Sequence, residues 1–67
     1  MFLYIKAYRQ RAKISVPKMS ELTGIPKRTI EDLEKRGDCL VSNAVKITDV
    51  LGITLNDILT PPPEEDT

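Results

Sequence analysis

Apolar residues recur along this chain at the spacing of helices, and no segment alternates strictly for long enough to make a strand. From Phe2 to about Ala12 there are good helix formers and no breaker. Leu3, Ile5, Tyr8 and Ala12 supply one apolar side, which predicts a first helix of about three turns. Arg9 falls beside that side, where it either snorkels to solvent or pairs inward with a carboxylate. Ser15 opens a second helix, because its side-chain oxygen can accept from the free first-turn amides and Pro17 loses nothing there by lacking an N–H. Met19 and Leu22, three apart, share a face, and the small Ser20 between them lets another helix cross closely. Gly24 supplies the positive φ that ends this helix, and Pro26 pushes Ile25 into an extended conformation before the next. A third helix is predicted over about Pro26–Arg36. It turns Ile30 and Leu33 inward and leaves Lys27, Arg28, Glu31, Asp32 and Lys35 outside.

The segment Gly37–Val41 lacks helical periodicity and reads as a loop laid over the core by Leu40 or Val41. Ser42 is the expected cap of a fourth helix, in which Ala44, Ile47, Thr48 and Leu51 share a face until Gly52 ends it. Thr54 and Asp57 resemble a capping box in its acidic variant, opening a last short helix through Leu55, Ile58 and Leu59 that Pro61 stops. About five short helices with brief linkers predict an all-α domain over residues 1–60. Residues 61–67 form a Pro-rich acidic tail with no apolar anchor, and disorder is expected there.

Composition narrows the function classes. At 67 residues and 40% hydrophobic content the chain makes one domain, near the lower size at which a core holds without disulfides or metal. With no histidine and one cysteine, neither a metal site nor a disulfide scaffold is expected, and no cofactor is implied. The opening Met-Phe-Leu-Tyr-Ile meets Lys6 and Arg9 too soon for a signal peptide, and no apolar run is long enough to span a bilayer, so a cytoplasmic location is expected. Nothing pairs a nucleophile with a base, and the three glycines are accounted for as turns and caps, so no enzyme is expected. Cys39 could be a redox sensor, but a lone cysteine without a nearby histidine reads more simply as a small filler.

Net charge is zero, yet its distribution is lopsided. Residues 1–36 carry nine Lys or Arg against four acids, whereas residues 37–67 carry one Lys against six acids. The positive half contains the third helix.

Two short helices joined at Gly24 make a helix-turn-helix pattern whose second helix has the dimensions of a major-groove reader. Together with Tyr8-Arg9, Leu22-Thr-Gly24-Ile25, Thr29-Ile30, Leu33-Glu34, Lys46-Ile47 and Val50-Leu51-Gly52-Ile53-Thr54-Leu55, it resembles the Cro/C1-type helix-turn-helix family of bacterial and phage regulators, also called the xenobiotic-response-element family. The resemblance runs from about Ile5 to Leu59 and rests on order and spacing rather than on any single motif. It implies a lambda-repressor-like fold and an ion pair between Arg9 and Glu34 that fixes the third helix to the first. It also implies base contacts from Lys27, Arg28, Glu31 and Asp32, and phosphate contacts from Lys18, Thr29, Lys35 and Asn43. Where the family commonly places a phosphate-touching glutamine, this chain has Val16, and the amides of the second helix are expected to meet the phosphate instead. Ser20 replaces the usual alanine, and its hydroxyl is expected to return to a carbonyl within its own helix.

The chemistry of these side chains differs. Arg28 can give two parallel hydrogen bonds to O6 and N7 of guanine, and Lys27 can do so less rigidly or take a phosphate. Glu31 and Asp32 only accept, so they face a cytosine amino group, cost affinity, or form a solvated face with Lys35 and Arg28. The reading that follows is a sequence-specific double-stranded DNA-binding regulator, expected to be a repressor and a homodimer, since one short helix reads too few base pairs alone. The alternative is a protein–protein interaction module or antitoxin-like partner that keeps the fold with weak DNA binding or none, which zero net charge and two outward acids favour.

Overall fold

In the computed structural model, which describes residues 2–63, four α-helices follow one another. They are α1 (Ile5–Arg11), α2 (Val16–Thr23), α3 (Lys27–Arg36) and α4 (Val41–Leu51), and a single 3-10 turn at Asp57–Leu59 follows them. Among the described residues there is no strand, and no helix is long and apolar enough to cross a membrane. The fully or nearly buried residues Ile5, Met19, Ile25, Ile30, Leu33, Ala44, Ile47 and Ile58 come from every one of these elements. No helix can therefore bury its apolar face unless the others are in place. α2 packs on α3 and α4, and α1 packs on α4.

α1 starts three residues later than its apolar pattern suggests. The N–H of Leu3 donates to the Gly37 carbonyl at 2.7 Å, and that of Tyr4 to the Ile58 carbonyl at 2.8 Å. The segment before α1 is thus a non-helical strap tying the end of α3 to the last turn. Phe2 stacks edge-on against Tyr4, with ring centroids 5.0 Å apart, and its ring lies against Gly37. At the other end, α1 gives way at Ala12, which is exposed rather than part of the apolar side, and Lys13 takes a left-handed φ of 60°.

Other expectations also need correction. Leu22 is 48% exposed, so the core face of α2 is the buried Met19 with the partly buried Val16, continued by Ile25 beyond the turn. Leu40 and Val41 are each 71% exposed and do not cover the core; Cys39 packs against it instead. α4 begins at Val41, one residue before Ser42, and no side chain caps it. Ala44, Ile47 and Thr48 are buried, with Leu51 partly so, and Thr48 returns its hydroxyl proton to the Ala44 carbonyl at 3.0 Å. The Thr54–Asp57 box forms: the Thr54 N–H donates to Asp57 Oδ2 at 2.8 Å and the Asp57 N–H to Thr54 Oγ1 at 3.2 Å. What it opens is one 3-10 turn burying Ile58, with Leu55 and Leu59 left exposed. Pro61–Pro63 is not helical, and the acidic end of the tail, Glu64–Thr67, lies outside the described residues.

Candidate nucleic-acid interface

The turn between α2 and α3 is built from side chains as much as from backbone. Ser15 accepts from the Lys18 N–H at 3.2 Å, starting α2, and Gly24 ends it at φ 77° with its N–H on the Ser20 carbonyl. Thr23 Oγ1 donates to the Met19 carbonyl at 2.7 Å and accepts from the Ile25 N–H at 3.2 Å. The Ser20 hydroxyl reaches forward across the turn, donating to the Ile25 carbonyl at 2.6 Å, and does not return within its own helix. These bonds satisfy backbone groups that a sharp bend would otherwise leave without partners. Pro26, extended at ψ 142°, then delivers the chain into α3.

α3 is held from two sides. Ile30 and Leu33 are buried in the core. From α1, Arg9 donates Nε to Glu34 Oε2 at 2.7 Å and a terminal nitrogen to Oε1 at 3.0 Å, and its other terminal nitrogen donates to the Ile14 carbonyl at 2.9 Å. The two side chains keep only 10% and 6% of their surface. A planar two-bond pair of this kind fixes orientation as well as distance.

The outward surface of α3 is charged throughout. Lys27, Arg28, Glu31, Asp32, Lys35 and Arg36 are exposed, and Thr29 is partly buried. Asp32 pairs with Arg36 at 3.1 Å, an i,i+4 contact, and not with Lys35 or Arg28. Lys27, Arg28 and Lys35 form no ion pair among the described residues. Thr29 and Asn43 line one cleft, with Asp32 and Arg36, between α3 and the start of α4. Lys18, on the exposed side of α2, lies 3.8 Å from Glu21. The start of α2 is poorer in donors than expected: Pro17 has no N–H, the Lys18 amide is taken by Ser15 Oγ, and the Met19 amide by the Ser15 carbonyl at 2.8 Å. Cys39 lies at the edge of the same cleft as Thr29 and Asn43. Burial, then the Asp38 carboxylate, pushes its thiol pKa up, so it stays protonated at neutral pH.

Two helices joined by a tight glycine turn, the second pinned by a buried ion pair and carrying a charged outer face, are matched by one family profile. The Cro/C1-type HTH DNA-binding domain matches residues 5–64. The chain belongs to this family. A search of the curated proteins finds no match. The structure places Lys27, Arg28, Glu31 and Asp32 on the exposed side of α3, within the matched span. Asn43, on α4, shares a cleft with Thr29, Asp32 and Arg36, whereas Lys18 lies on α2 beside Glu21.

Proposed function

We propose that this Cro/C1-type domain is a sequence-specific regulator of transcription, acting as a cytoplasmic repressor that inserts α3 into the major groove of double-stranded DNA. The observation that carries the reading is Arg28: exposed, without an ion-pair partner among the described residues, and mounted near the start of a helix that Arg9 and Glu34 hold rigid. Preorganisation of this kind lets a guanidinium meet O6 and N7 of a guanine without ordering its support at the moment of binding. Lys27 reads or takes a phosphate beside it. Glu31 faces a cytosine amino group, as Asp32 does once it leaves Arg36. Lys18, Thr29, Lys35 and Asn43 position the duplex through its phosphates. No catalytic step and no cofactor enters this reading.

The domain binds as a homodimer, so that two α3 helices read half-sites about one helical turn apart. The proposed face is an apolar groove of about 420 Å3 lined by Leu3, Val41, Ala44, Leu55, Ile58 and Leu59. No charged residue lines it, so two copies meet there without like-charge repulsion.

Affinity for mixed-sequence duplex measured as salt rises tests the reading. Phosphate neutralisation predicts binding at low salt and a log K that falls against log salt by about 0.9 per contacted phosphate. Absence of binding at low salt favours the second reading, a protein-binding module, for which the outward Glu31 and Asp32 speak.

A further inference from the structure

We infer that Lys6 of α1, with Lys35 of α3, seats a backbone phosphate of the duplex in the cleft beside the reading helix, a contact that takes over from the start of α2. The inference rests on the DNA reading above and adds a residue outside the helix-turn-helix. The cleft encloses about 350 Å3 between α1, the first residue of α2 and the outer side of α3. Its lining is Lys6, Arg9, Val16, Glu31, Glu34 and Lys35. Arg9 and Glu34 neutralise each other there, so the charges facing outward are Lys6, Lys35 and Glu31. Lys6 and Lys35 are exposed, form no ion pair among the described residues, and leave the cleft with a positive surplus.

The same cleft contains the reason a cation is needed. Val16 offers an apolar side chain, and of the amides that open α2 those of Lys18 and Met19 are already bonded and Pro17 has none, which leaves the Val16 N–H alone free. A helix terminus so depleted is a weak anion site. A phosphate lying against this edge of α3 finds at most one free amide at the start of α2, and the free cations that line the cleft from two different helices are Lys6 and Lys35. Two separate anchors fix the angle of α3 in the groove better than two lysines on one helix would.

The test is the salt dependence of duplex binding for the intact chain and for Lys6→Gln, Lys35→Gln and Lys46→Gln. Lys46 is exposed on α4 and does not line the cleft. Lys6→Gln and Lys35→Gln should each make the slope of log K against log salt shallower by about 0.9, which is roughly a 3.5-fold smaller loss of affinity between 50 and 200 mM salt. Base preference and the thermal melt should stay as in the parent, and Lys46→Gln should match the parent slope. A parental slope in Lys6→Gln overturns the inference and leaves the DNA reading standing. Failure of the unaltered chain to bind any duplex removes both.

Discussion

Arg9 ties three parts of the molecule together, since one guanidinium links α1, the loop at Ile14 and α3. Removing one partner of a buried pair leaves the other charge without compensation. Arg9→Ala should therefore cost about 3–5 kcal/mol in chemical denaturation, and the double change Arg9→Met with Glu34→Leu should recover much of it. A loss under about 1 kcal/mol for Arg9→Ala would mean that the pair behaves like a surface contact. Two glycines offer a second comparison at this scale. Gly24 and Gly37 have φ 77° and 69°, but a Cβ at Gly24 meets open space whereas one at Gly37 meets the Phe2 ring. Gly24→Ala should cost about 1–2 kcal/mol from its backbone alone. Gly37→Ala should cost more, with the excess vanishing when Phe2 is also made Ala. Equal losses would show that the Phe2 ring moves aside freely and that the strap holds the end of α3 through the Leu3–Gly37 backbone bond alone. Cys39, its thiol held protonated by burial and by Asp38, should alkylate slowly at neutral pH and faster only as pH rises through and beyond the ordinary thiol range.

Each element begins and ends through identifiable local chemistry, and α2 shows it most plainly. Ser15→Ala should remove the bond to the Lys18 amide, costing about 1 kcal/mol, or about 4–8 °C in Tm for a domain of this size. An unchanged melt would assign the start of α2 to Pro17 and packing instead. Signals of this local kind were legible in the sequence: Ser15, Gly24, Gly52 and the Thr54–Asp57 box act within a few residues of themselves. What was not legible depends on partners distant in the chain. The strap at Leu3 and Tyr4 follows a helical pattern until its amides find Gly37 and Ile58. Leu22, Leu40 and Val41 are apolar and so read as core, but periodicity cannot say which of two apolar residues a neighbouring helix covers. At the candidate site, Lys27, Arg28 and the outward acids were legible because Ile30 and Leu33 define the opposite face of α3. Lys6 was not, because only the packing of α1 brings it beside Lys35 and Val16.

At the scale of the whole molecule, zero net charge conceals a division of labour. The basic surplus lies in residues 1–36, which contain all of α1, α2 and α3, while the uncharged groove draws Val41, Leu55 and Leu59 from the remainder. Val41→Glu or Leu55→Glu should convert a sedimenting dimer to monomer without lowering the melt of the monomer, because both side chains are exposed. Dimers of unchanged stability in both variants would place the interface elsewhere. Weaker operator binding with intact binding to mixed-sequence duplex should accompany the monomeric state. The most direct test of the account is selection of bound duplexes from a random pool by the unaltered chain and by Arg28→Ala. The predicted result is an enriched near-palindrome in which Arg28→Ala relaxes the preference for guanine at one position per half-site, at a cost of about 1–3 kcal/mol. An enriched site that Arg28→Ala binds with the same base preference throughout would contradict it.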